Sequence, residues 1–152
     1  MLHAHSFLRW IVLILAIWTV IKGLSGMSGK KPFGSGDRKP VLFFMIAMDI
    51  QLLLGLALYF TGALGIKSIQ NQGMGAVMKD AFSRFYAVEH LVGMLLAVIL
   101  AHMANAATKK AIPDHKKYRK VFLFSLLSLV IMLATIPWPW RAMIGRPLFP
   151  GM

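Results

Sequence analysis

No cysteine occurs in this chain of 152 residues. Its absence excludes disulfides, thiolate-ligated iron–sulfur centres and covalent haem attachment through Cys-x-x-Cys-His, and leaves open a noncovalent cofactor held by histidine. Acidic side chains are nearly as scarce, with five Asp and Glu against seventeen Lys and Arg. Charged residues of both signs make up 14% of the chain, where a soluble domain carries roughly 25%. A phosphate-cradling glycine loop, a nucleophile elbow and a His-Glu-x-x-His run are also missing, so the commonest nucleotide-binding, hydrolase and zinc-protease signatures are absent. No internal repeat is visible.

What is present is oil: 58% of the residues are hydrophobic. Four apolar stretches predict membrane-spanning helices at about 3–22, 41–64, 85–107 and 121–140, each near the roughly 20 residues that a bilayer crossing needs. Short loops between them make one domain over 1–152, an all-α membrane protein folded as an antiparallel four-helix bundle. The first run contains Trp18, lacks an Ala-x-Ala cleavage signature and leads into lysines, so it is expected to stay as a helix. The stretch 23–40 and the segment 65–79 are rich in Gly and polar residues and read as loops. Trp138 and Trp140, interleaved with Pro137 and Pro139, suit an interfacial belt at the end of the fourth span, and the Pro-rich tail from Gly145 reads as lying on the outer surface.

Eleven of the seventeen cations fall in two segments, 22–39 and 109–120. Both must lie on one side of a four-span protein. The positive-inside rule makes that side the cytoplasm and leaves both termini periplasmic, in a bacterial inner membrane. The basic loops would also meet anionic lipid headgroups. No groove-reading motif accompanies the net charge of +12, so nucleic acid is not the partner it implies.

Against this background a few polar groups stand out, because ionisable residues inside a bilayer are costly and usually functional. Glu89-His90 lies about six residues inside the third run, roughly 9 Å from the outer boundary at 1.5 Å per residue. His5 falls about 25 Å from the inner boundary by the same count, and so shares the outer third of the bilayer with His90. Such a pair is what a bis-histidine haem requires. Ala97 and Ala101 fall nearly in line with His90 and would leave room for a flat ring. Arg9, one turn below His5, would meet Glu89 or a haem propionate. The plain alternatives are a buried His90 bonded to a backbone carbonyl and a snorkelling Arg9.

Asp49 lies about 12 Å, and His102 about 10 Å, from the cytoplasmic edge, which predicts an interhelical Asp49–His102 pair. Gln51 points almost opposite Asp49 and reads as interhelical glue beside Gly55 and Gly62. Gly93, Ala97 and Ala101 form a small-residue stripe expected to face protein. His3 stands third in the chain, where the terminal amine and amides can make a square-planar Cu(II) site unless the chain starts as a helix. His115 sits among lysines and reads as solvated. The eleven methionines form no Met-x-x-Met pattern and read as packing.

Taken in order, the segments His5-Ser6-Phe7-Leu8-Arg9-Trp10, Gly29-Lys30-Lys31-Pro32-Phe33, Gln51 to Phe60, Glu89-His90 and Arg146 to Met152 resemble a family of small four-helix membrane proteins of Bacteroidetes-type bacteria, often labelled cytochrome-b-like. The resemblance covers nearly the whole chain. It implies a noncovalent haem b, with His5 and His90 at the positions of the family's N-terminal His and Glu-His. Members often carry another His two residues before the matched Gln51 and one near the end of the third helix. Here the former is Asp49 and the latter falls near Asn105, with His102 one turn earlier, a departure from the pattern that argues against a second, cytoplasmic-side haem.

The reading is then of an inner-membrane b-type cytochrome-like protein. It would pass electrons between a membrane donor such as a quinol and an outer-side partner. Two rivals remain: a haem-free accessory subunit of a larger membrane complex, respiratory or otherwise, and a small proton- or ion-conducting module built on Asp49, His102 and Glu89. The reduced-minus-oxidised absorbance spectrum separates the first from the other two.

Overall fold

A computed structural model describes residues 1–29 and 31–149. Lys30 and the Pro150-Gly151-Met152 end of the family-like tail lie outside the described residues. The described chain is all helical. Its helices are α1 (Leu2–Ser25), α2 (Ser35–Thr61), the short α3 (Ile66–Gln72), α4 (Met74–Lys79) and α5 (Ala81–Arg84), α6 (His90–Thr108) and α7 (Asp114–Thr135). Four stretches among the described residues are long and apolar enough to cross a membrane: Leu2–Ser25, Ser35–Gln72, Ala81–Thr108 and Asp114–Thr135.

The boundaries differ from the sequence expectation wherever a local cap outweighs composition. α2 starts at Ser35 rather than near 41, because the Asp37 carboxylate turns back to accept the Gly34 N–H at 3.2 Å and anchors the first turn. Pro40 is carried inside the helix, where it costs a single backbone bond close to the N-terminus. The segment 65–79, expected as loop, coils into α3 and α4 on either side of Gly73, whose φ of 80° breaks the helix between them. α7 ends at Thr135, not at Trp140. Pro137 disfavours helical backbone at Ile136, which is extended at ψ 134°.

The long helices pack in cyclic order: α1 on α2, α2 on α6, α6 on α7, and α7 back on α1. α6 packs on α7 along the small-residue stripe. Gly93 admits the Thr135 side chain against its backbone, and the Ser128 hydroxyl donates to the Ala97 carbonyl at 2.8 Å. Gly93, Ala97 and Ala101 are all buried, so the stripe faces protein as expected. Val12, Ala16, Phe44, Ala97 and Met132 share the central cluster. At the basic end, Lys31 Nζ donates to Asp37 at 2.7 Å and the Tyr118 hydroxyl donates to the Pro32 carbonyl at 3.1 Å, tying the α1–α2 loop to α7.

Candidate functional site

α1 and α6 stand opposite each other in the ring, and a cavity of about 420 Å³ lies between them at the end where the chain begins. His5 reaches it from α1 and His90 from α6. Their ring centres are 6.3 Å apart, with the planes inclined by 75°. Depth counted along the two helices puts these residues level, and the fold brings their rings together edge to face.

A single π-helical turn, Phe85–Glu89, precedes His90, and the His90 N–H bonds to the Phe85 carbonyl five residues back. The extra residue rotates everything before it relative to α6, a device found often at functional sites. His90 Nδ1 lies 2.7 Å from the Thr135 carbonyl. A carbonyl only accepts, so Nδ1 carries the proton and the Nε2 lone pair is left for something else. On the other wall, the Gln51 amide donates to the His5 carbonyl at 2.9 Å and fixes the backbone of that residue. Gly55 faces the His5 ring. A Cβ there would stand 3.2 Å from His5 Cε1, a tight contact that glycine avoids.

Four buried side-chain polar atoms lack a hydrogen-bond partner among the described residues, and three of them, His5 Nδ1, Arg9 Nε and Gln51 Oε1, belong to residues lining this one cavity. Buried polar atoms are normally satisfied, so such a cluster marks a site shaped for an occupant. The remaining wall is mostly apolar, with Met48, Leu91, Met94, Val98 and Met132 among the residues that form it.

The residues after α7 close the open end. Leu148 O accepts from Arg9 Nη2 at 2.6 Å and from Trp10 Nε1 at 3.4 Å, and Phe149 stacks on Trp10 at 5.8 Å. Tyr86 donates to the Ile144 carbonyl at 2.6 Å, while Arg146 Nε donates to the Tyr86 oxygen at 3.0 Å. Arg146 and Pro147 thereby become part of the cavity wall. The tail is not merely laid on the outer surface. Sequence reasoning missed Arg146 as a site residue; its signal was a lone cation in the family-like tail, directly before a proline.

Three further expectations are corrected. Glu89 does not meet Arg9: it takes Arg84 Nε at 2.7 Å and lines a separate cleft with Arg141, its side chain 44% exposed. Ala97 and Ala101 do not make the clearance beside His90, because neither lines the cavity, which is bordered instead by Met94 and Val98. At the N-terminus, α1 begins at Leu2 and the His5 N–H bonds to the Met1 carbonyl. This helical backbone does not suit a square-planar copper site at His3.

Away from the cavity, His102 Nε2 donates to Asp49 Oδ1 at 2.8 Å, the pair expected from matching depth. Its position is the surprise. The side chains are 49% and 40% exposed, on the outer surface of α6 and α2 among Ile46, Ile50, Ile99 and Met103. His115 is exposed, as expected of a solvated residue. Among the described residues no group of three or more His, Cys, Asp or Glu side chains gathers as a metal site. Comparison of the chain with family models, curated proteins and solved structures finds no match.

Proposed function

We propose that the chain is a b-type cytochrome-like protein of the bacterial inner membrane, an antiparallel four-helix bundle with both termini periplasmic, and that His5 and His90 hold one noncovalent haem b. The observation that carries this reading is the meeting of two imidazoles from opposite helices in one mostly apolar cavity, ring centres 6.3 Å apart. His5 and His90 would hold a metal through one ring nitrogen each, at metal–imidazole bonds of about 2.0–2.1 Å, and their ring centres are 6.3 Å apart. The spacing therefore fits an iron shared between them.

The neighbours fit as well. The Thr135 carbonyl holds the proton on Nδ1 of His90, which orients the ring and raises the basicity of Nε2, as second partners of metal-bound histidines do. Gln51 holds the backbone of His5, and Gly55 keeps its ring clear. The mostly apolar walls would exclude water, and a noncovalent cofactor suits a chain without cysteine. Haem bound there would supply a one-electron couple. The chain's own part is to fix two ligands, keep the site dry and set its charge. The role is electron transfer between a membrane donor such as a quinol and an outer-side partner. The resemblance to small cytochrome-b-like membrane proteins supports the same reading.

A second reading rests on a different observation. The half-exposed Asp49–His102 pair on an otherwise apolar face favours a haem-free accessory subunit, whose polar pair meets a larger complex. One experiment separates the two. Protein purified after haem-replete expression should give a sharp α-band in its reduced-minus-oxidised spectrum, lost in His90→Ala. A flat wild-type spectrum removes the cytochrome reading and leaves the accessory one.

A further inference from the structure

Arg9 and Arg146 both line the cavity, and no Asp or Glu does. Among the described residues neither arginine pairs with a carboxylate. The ion pairs belong instead to Lys22, Lys31, Arg84, His102 and Lys117. What each arginine has is neutral and partial. Arg9 gives Nη2 to the Leu148 carbonyl at 2.6 Å and leaves Nε buried without a partner. Arg146 gives Nε to the Tyr86 oxygen at 3.0 Å and lies over that ring at 4.9 Å. Since Arg9 holds Leu148, two residues beyond Arg146, both guanidiniums stand at the tail-covered end.

A guanidinium keeps its charge at any working pH and carries five donors in a planar fork. Two such charges beside mostly apolar walls act in a low effective dielectric, where an anion is strongly attracted and an uncompensated cation is costly. The other walls offer nothing of opposite sign. We propose that Arg9 and Arg146 form a carboxylate-binding end of the cavity, selecting an occupant with acidic groups along one edge of an otherwise apolar body. The inference rests on the haem reading in naming that occupant: the carboxylates are the propionates, which then face the tail and its side of the membrane. A long-chain fatty acid offers the same chemistry from another source.

The test titrates the purified full chain in detergent with hemin, hemin dimethyl ester and oleate, following the Soret band and tryptophan fluorescence. Wild type should prefer hemin over its ester by about tenfold or more, the scale of one lost charge-assisted contact. Arg9→Gln/Arg146→Gln should erase the preference, and Arg9→Lys/Arg146→Lys, which keeps charge without the fork, should retain part of it. Helical circular dichroism and elution volume identify any variant that has lost its fold, and the lysine pair then carries the comparison. Equal binding of acid and ester by wild type overturns the inference and spares the haem reading. Arginine-dependent binding of oleate alone supports the carboxylate end and overturns the haem reading. Binding of none of the three overturns both.

Discussion

Cutting the Asp49–His102 contact from one side should destabilise the protein more than removing both partners. The bond is short, 2.8 Å, yet both side chains are nearly half exposed on an apolar surface of α2 and α6. Interhelical bonds in membranes are worth ~0.6 kcal/mol on average and up to ~1.7, so the lost bond by itself should cost about 1 kcal/mol. His102→Leu also strands a carboxylate. An Asp at the helix centre costs ~2.5–3.5 kcal/mol on insertion scales, and an off-centre, half-exposed one less, so the total loss should be about 2 kcal/mol. Asp49→Leu strands only an imidazole and should cost about 1 kcal/mol. The double leucine variant leaves an uninterrupted apolar surface and should lie within about 1 kcal/mol of wild type, as replacement of whole ion pairs often does. Reversible unfolding in mixed micelles, monitored by circular dichroism, gives the four free energies of the cycle. If the single losses add to the double within about 0.5 kcal/mol, the residues are independent and the reasoning fails.

Three other outcomes follow from the site and the topology. Gly55→Val should push branched carbons into the His5 ring, whose Cε1 would be 3.2 Å from the new Cβ, and should reduce haem retention while the helical signal persists; unchanged retention means the ring does not depend on that gap. Alkaline phosphatase fused after Met152 should be active and fused within 29–39 inactive, and the opposite pattern reverses the orientation. Arg9→Gln should lower the midpoint potential, because a nearby cation favours the less positive reduced haem; a potentiometric titration that overlays wild type removes Arg9 from the haem's surroundings.

Much of this architecture could be read from residue order because spanning helices are set by hydrophobic length. Their ends could not: the Asp37 cap moved α2 back to Ser35 and Pro137 cut α7 short, and neither effect appears in composition. The meeting of His5 with His90, and of Asp49 with His102, followed from depth along a helix, which is a fixed rise per residue. Which way Asp49 points was also implicit, since Gln51, almost opposite on α2, faces the His5 backbone. Directions after residue 84 were a different matter. Alignment of Ala97 with His90 along α6 did not tell which flank of the helix borders the cavity, and the Glu89 partner, Arg84, sits across the π-helical turn on its own chain segment. Arg146 was out of reach for another reason: a tail without periodicity gives no face to count, and its place depends on Tyr86 and on the contacts of Leu148 with α1.

The central claim is that one iron takes both His5 and His90, and electron paramagnetic resonance of the ferric protein tests it most directly. Two axial imidazoles keep the iron low-spin, and planes inclined by 75° should give a strongly anisotropic low-spin signal. His5→Ala should convert it to a high-spin, five-coordinate signal, while His102→Ala and His115→Ala leave it unchanged. A high-spin wild-type spectrum, or a low-spin signal that survives His5→Ala, would contradict the account.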